Sequence, residues 1–205
     1  MIAGLPDNID DIKGFLARDE AEALYRSAAE ALARGPVLEI GSYCGKSTIY
    51  LGLAAREHDG TVYALDHHRG SEEHQPGEMF HDPDLYDATN DGIDSFSEFR
   101  RNLRRAGVED RVVPIVAGST EAARDWRTPL GMVFIDGGHS LEAALEDYRC
   151  WASHIVRGGI LAIHDVYPDA HAGGQAPWAV FQMARSSGLF EEIQRVSSLG
   201  LLRRL

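Results

Sequence analysis

Apolar residues along this chain switch repeatedly between two spacings, and the switching reads as strand, helix, strand for most of its length. Short apolar runs at 36–40, 61–66, 112–117, 132–136 and 159–164 predict buried strands. Between them, apolar positions recur every three or four residues, which predicts helices over 8–34, 46–57, 93–106, 120–126, 140–155 and 177–188. The helix at 140–155 carries its core stripe on Leu141, Ala144, Leu145, Tyr148, Trp151, Ala152 and Ile155. Two closing runs, 191–196 and 199–205, are separated by little more than a turn and broken at Gly200, so they predict an antiparallel pair completing an otherwise parallel sheet. The class is α/β, with helices on both faces of the sheet.

Composition adds that this is one unit. A chain of 205 residues with 44% hydrophobic content can bury a sizeable core, and no linker or repeat interrupts it. We read 1–205 as a single domain, with a helical N-terminal segment at 1–34 and an insertion at 67–92. No apolar run has the length of a signal peptide or a membrane span, so a cytoplasmic protein is expected. Cys44 and Cys150 read as small buried residues and not as a disulfide framework or catalytic thiols.

The net charge of −12 is concentrated. Between residues 67 and 98 lie Glu72, Glu73, Glu78, Asp82, Asp84, Asp87, Asp91, Asp94 and Glu98 against Arg69 alone. Such a surface repels polyanions, and no basic stripe with interleaved aromatics compensates elsewhere, which argues against nucleic acid as a partner.

The densest chemical signal is VLEIGSYCGKST, Val37 to Thr48. An apolar strand runs into a turn where Gly41 and Gly45 let the backbone come close to a ligand, and a helix follows whose first amides can hold polar atoms. Glu39 suits a cationic amino-acid group or ribose hydroxyls better than a phosphate. A plain strand-to-helix connection is the alternative. So is a P-loop, because Gly45-Lys46-Ser47-Thr48 resembles its end and Met132 to Asp136 resembles its magnesium-binding strand. The spacing opposes the P-loop: that motif needs four residues between its glycines, and the residue at the required position is Ile40. Glu39, Asp66, Asp136 and Asp165 each close an apolar run, and strand ends of an open α/β sheet meet in one crevice. Asp66 follows Gly41 by 25 residues, a separation at which an acid reaches the ribose of a nucleoside cofactor; a turn or helix cap is its other reading.

VLEIGSYCGKS, Asp66, FIDGGHS and GGILAIHDV together resemble the class I S-adenosylmethionine-dependent methyltransferases, over about residues 35–205. Within that fold they are most similar to the metal-dependent small-molecule O-methyltransferases, of the catechol type and of macrolide-sugar, cephamycin and polysaccharide-sugar pathways. The resemblance implies a Rossmann-like seven-stranded sheet of order 3-2-1-4-5-7-6 with the last strand antiparallel. It also implies Gly41, Tyr43 and Ser47 around the methionine end of S-adenosylmethionine, Asp66 at the ribose, Ser119 at the adenine, and Asp136 near both cofactor and metal.

A divalent cation, magnesium first, needs only two or three hard oxygen ligands from the protein, and Asp136 and Asp165 fit. Catechol-type enzymes place an acid just before the position of Asp165; this chain has His164, either a softer third ligand favouring manganese, zinc or iron, or a partner that orients Asp165. His139 stands where those enzymes carry the basic residue that takes the hydroxyl proton, unless it only caps the helix starting at Ser140. Residues 67–92, with His67, His68, His74 and His81 among the acids, read as a lid that binds a hydroxyl-rich acceptor, a sugar or glycoside. The expectation is therefore an O-methyltransferase for a small polar acceptor, with no membrane partner and with a homodimer through the helical N-terminus as an option. A P-loop-like nucleotide hydrolase and a non-catalytic cofactor-binding module are the alternatives.

Overall fold

The computed structural model describes residues 2–70, 82–89 and 91–205. Five parallel strands form most of one sheet: β1 (Val37–Ile40), β2 (Val62–Leu65), β5 (Val112–Ile115), β6 (Leu130–Ile135) and β7 (Ile155–Ile163). The hairpin β8 (Phe190–Val196) and β9 (Leu199–Arg204) completes it, with β9 antiparallel to both β7 and β8. The order is β5-β2-β1-β6-β7-β9-β8. Counted within this sheet alone, that is the expected 3-2-1-4-5-7-6. A separate two-stranded ribbon, β3 (Tyr86–Asp87) with β4 (Gly92–Ile93), lies in the segment after β2.

Strand alternation divides the core into two layers. Val37, Met132, Phe134, Ile160 and Ala162 face α1 (Arg18–Ala31), α2 (Lys46–Glu57) and α3 (Phe96–Ala106). Leu38, Val133, Ile135, Leu161 and Ile163 face α5 (Leu141–Trp151) and α6 (Ala176–Ser186). A short α4 (Ser119–Ala123) follows β5. Both faces are covered, which is why the central strands read as unbroken apolar runs. Pro114 is tolerated because β5 is an edge strand.

The structure differs from the pattern-based reading in four places. Residues 8–34 are not one helix: a 3-10 turn at Ile9–Asp11 and an irregular strap precede α1, whose start is fixed by the Ala17 N–H donating to Glu20 Oε2 at 3.0 Å. The strap is buried at Ile9, Ile12 and Leu16, so helical spacing was satisfied without helix. The run at 140–155 ends as helix at Trp151, and Ile155 already belongs to β7. Leu141 is 52% exposed; the buried positions of α5 are Ala144, Asp147 and Trp151. The β8–β9 turn falls at Ser197 and Ser198, while Gly200 lies inside β9, where a Cβ would sit 2.6 Å from the Phe181 ring. Cys44 is buried, Cys150 is half-buried, and both are free thiols.

The sheet depends on one tight contact far from its functional edge. At Gly131 a Cβ would lie 2.2 Å from the Ala31 carbonyl oxygen and 2.5 Å from that of Gly35, because the end of α1 packs directly onto the first residues of β6. Gly131→Ala is expected to lower unfolding free energy in urea by about 2–3 kcal/mol, the usual cost of overpacking, with cofactor affinity retained at temperatures where the variant is folded.

Candidate active site

The carboxyl edge of the sheet is built by register. Ile40 pairs with Leu65 and with Ile135, and Ile135 with Ile163. The ladder then runs one residue further: Gly41 donates its N–H to Leu65, Asp66 to Ile115, Asp136 to Ile40 and His164 to Ile135. Four predicted site residues thus leave the sheet at one level, with Asp165 one step beyond. A cavity of about 890 Å³ opens over them.

One wall is the glycine turn. Gly41 has φ +87°, and a Cβ there would be 2.1 Å from the Asp136 carbonyl oxygen, so glycine is required where the β1 and β6 loops touch. Gly45, at φ +88°, precedes α2. Tyr43 donates its backbone N–H to Asp66 Oδ2, and His68 donates its own to Asp66 Oδ1, both at 2.7 Å. Asp66 therefore clamps the turn to the loop after β2 while still lining the cavity. The Ser42 hydroxyl, buried in the cavity wall, has no hydrogen-bond partner among the described residues, and Ser47 is buried beside it. A backbone too close for a side chain and an unsatisfied hydroxyl are what a cradle for a polar ligand requires. The residues present fit a nucleoside-amino-acid cofactor such as S-adenosylmethionine.

Glu39 is placed differently from expectation. It lies inside β1, fully buried, and does not line the cavity. Thr48 Oγ1 donates to its Oε2 at 2.5 Å, and burial, with Asp136 and Asp66 nearby, pushes its carboxyl up to about 8. Its place is beneath the first turn of α2.

The second wall comes from α4 and α5. Ser119 lines the cavity, but its hydroxyl donates to Asp147 Oδ1 and accepts from the Trp151 indole at 3.2 Å. Asp147 is nearly buried, and that burial raises its carboxyl to about 6 against the Ser119 bond that lowers it. Sequence reading missed Asp147. The signal was present: it lies three residues after Ala144 and four before Trp151, an acid inside an apolar stripe.

At the third wall, His139 Nε2 is 3.0 Å from Asp165 Oδ2, and Tyr167 donates its hydroxyl to Asp165 Oδ1 at 3.2 Å. Burial works against the Asp165 charge, yet His139 and His164 hold its carboxyl well below the ordinary range. Ser140, not His139, caps α5, accepting the Ala143 N–H at 3.2 Å. Asp136, His139 and Asp165 each offer one ligand atom within 4.8 Å of the others.

His164 is corrected from ligand to buttress. It is buried, its Nδ1 lies 2.9 Å from Asp136 Oδ1, and its Nε2 lies 3.0 Å from Glu20 Oε2. Neither nitrogen has a lone pair directed at the cavity, so the metal-competent set is two carboxylates and His139. That set suits a hard cation such as magnesium or manganese. Sequence reading also missed the strap, whose Lys13, Gly14, Phe15 and Leu16 line the cavity, with Phe15 stacked on Tyr43 at 6.5 Å. Lys13 is 2.5 Å from Asp82 and 3.0 Å from Asp84, which ties the strap to the far end of the 67–92 segment. His67 and Gly70 line the cavity. Residues 71–81, including His74 and His81, lie outside the described residues.

Residues 38–166 match the family described as "Methyltransferase domain". Among solved structures, the O-methyltransferase NovP is 17% identical with a TM-score of 0.70, covering 91% of this chain and 79% of its own. The O-methyltransferase TomG from Streptomyces achromogenes, solved in complex with SAM and involved in tomaymycin synthesis, is 19% identical with a TM-score of 0.64, covering 95% of this chain and 82% of its own. An rRNA methylase from Streptococcus thermophilus is 16% identical with a TM-score of 0.59, covering 94% and 99%. At these identities the likeness is one of fold.

Two outcomes test this geometry. Asp66→Ala should weaken S-adenosylhomocysteine binding by about 1.5–3 kcal/mol, the worth of hydrogen bonds to a charged group, and Asp66→Asn, which keeps one acceptor oxygen for the clamp, should lose less. Unchanged affinity of Asp66→Ala in calorimetry would remove this residue from the cradle.

Asp147 gives a pH signature. Its folded value of about 6 exceeds the ordinary 3.8, so no penalty exists at low pH, and stability falls as pH rises between those values. The full penalty is about 2–3 kcal/mol. Asp147→Asn should be free of that fall in urea titrations at pH 4, 5 and 6.5. Parallel curves for the two proteins would mean that Asp147 is already ionised at pH 4.

Proposed function

The chain belongs to the methyltransferase-domain family, and from that premise we propose that it transfers the methyl group of S-adenosylmethionine to a hydroxyl of a small, uncharged, polar acceptor, with a divalent cation at the site. The observation that carries this reading is the convergence of Asp136, His139 and Asp165 beside the glycine cradle in one cavity. Its volume of about 890 Å³ leaves room for an acceptor beside the cofactor.

Charge supports the acceptor class. Asp66, Glu121, Asp136, Glu146, Asp147 and Asp165 line the cavity, against Lys13 and Lys46. That balance favours a sulfonium cofactor and disfavours phosphorylated or polyanionic acceptors, RNA included. A sugar or glycoside fits, with the ends of the 67–92 segment and the strap supplying hydroxyl contacts.

Methyl transfer is a displacement at carbon, so the acceptor oxygen must be deprotonated and aligned with the sulfur–methyl bond. When bound, S-adenosylmethionine supplies an electrophilic methyl group on a positively charged sulfur. A cation held by Asp136 and Asp165 would supply Lewis-acid lowering of the hydroxyl pKa. His139 takes the hydroxyl proton, and Asp165, 3.0 Å from its Nε2, orients the ring. The shared 4.8 Å radius favours a second reading, in which His139 is the third ligand.

Calorimetry and turnover separate these. S-adenosylhomocysteine should bind and ATP should not; the reverse would favour a nucleotide hydrolase, and binding without transfer to any member of a hydroxyl library would favour a non-catalytic module. Chelator and Asp165→Ala should each abolish transfer while leaving cofactor affinity intact. His139→Ala should lower kcat by about 100-fold or more if it is the base, with Mn²⁺ affinity unchanged; a parallel loss of Mn²⁺ affinity makes it a ligand. Full activity in chelator would sink the metal reading alone.

A further inference from the structure

Glu20 is a buried carboxylate in the first turn of α1, a position that normally faces water. An unpaired charge there would be costly, and its four partners show what holds it. Oε1 accepts from the Ser198 N–H and the Ser198 hydroxyl, each at 2.7 Å. Oε2 accepts from the Ala17 N–H and faces His164 Nε2, each at 3.0 Å. Those groups come from the end of the strap, the β8–β9 turn and the carboxyl end of β7.

His164 carries the connection onward. Its other nitrogen faces Asp136 Oδ1 at 2.9 Å, with Asp165 Oδ2 at 3.4 Å, and Phe134 packs edge-on against the ring at 6.4 Å. Carboxylates only accept, so a ring lying between two of them donates from both nitrogens and has one orientation. The side-chain direction of Asp136 therefore depends on Glu20, a residue far away in sequence.

We propose that Glu20 is a positioning residue for the methyl-transfer site: through His164 it sets the direction of Asp136, and through Ala17 it anchors the strap that forms one wall of the cavity. Burial disfavours the charged Glu20, but its bonds to His164 and Ser198 outweigh this and hold the carboxyl down to about 2, in keeping with a network that is satisfied throughout. The proposal rests on the reading of Asp136 as a site residue. It does not depend on a metal being required.

The test compares Glu20→Gln with wild type. Gln keeps one acceptor but turns an amide donor toward either the Ser198 donors or His164, so it breaks the network with little change of volume. In the wild-type protein without added metal, proton NMR should show a downfield, slowly exchanging His164 ring N–H, assigned by its loss in His164→Gln. Glu20→Gln should shift or remove that resonance, lower Mn²⁺ affinity by about 10-fold or more, and leave S-adenosylhomocysteine affinity unchanged. Ala28→Gly, a destabilising change in the same helix, should alter neither the resonance nor Mn²⁺ binding. An absent resonance in wild type, an unchanged one in both Glu20→Gln and Glu20→Ala, or the same loss in Ala28→Gly would each overturn the proposal. A wild-type protein that binds no Mn²⁺ would overturn the metal reading instead, and the ring resonance would still decide the role of Glu20.

Discussion

The common level at which β1, β2, β6 and β7 end is the constraint on which the site depends. Parallel pairing continues one residue past each strand, through the N–H groups of Gly41, Asp66, Asp136 and His164, so the first residue of each loop is held by the sheet as firmly as the strand itself. Chemistry placed there is positioned by backbone hydrogen bonds instead of by loop conformation. The same closeness excludes a side chain at Gly41, where the turn meets the Asp136 carbonyl.

Concentrating acids at that edge creates an electrostatic problem that the fold solves locally. Asp66 is satisfied by two backbone N–H groups, Asp136 and Asp165 by imidazoles, and Glu39 is moved behind the turn, where burial favours its protonated form. Each carboxylate thus has its own compensation before any ligand arrives. A cationic cofactor then meets carboxylates already oriented, which lowers the reorganisation that binding demands.

Much of this was legible in the order of residues, and the misreadings share a cause. Strand-end acids announce themselves because unbroken apolar runs stop abruptly at Asp66 and Asp136, and the α/β order follows from the same runs. Glu39 was misplaced by a single position: β1 continues to Ile40, so strand parity turns the carboxylate toward α2 instead of the crevice. The strap imitated a helix because Ile9, Ile12 and Leu16 keep helical spacing while packing as irregular chain; Gly14, where a Cβ would lie 2.9 Å from the Lys46 Cβ, marks close backbone approach that spacing does not encode. His164 looked like a ligand because residue type suggests chemistry, whereas its role is set by Glu20, a partner that only the folded chain brings near.

The span of the family match separates the strands of the crevice from the elements packed around them. Membership in the methyltransferase-domain family accounts for the cradle and the crevice, since residues 38–166 contain the strands and turns that build them. The N-terminal strap, Glu20 and Ser198 lie outside that span; the strap lines the cavity, and Glu20, held by Ser198, orients the histidine behind Asp136. The charge on Lys13 shows how the two are joined: its pairing with Asp82 and Asp84 links the strap to the segment that leaves the sheet beside Asp66. Lys13 also lines the cavity, so this junction holds two stretches far apart in sequence against one of its walls.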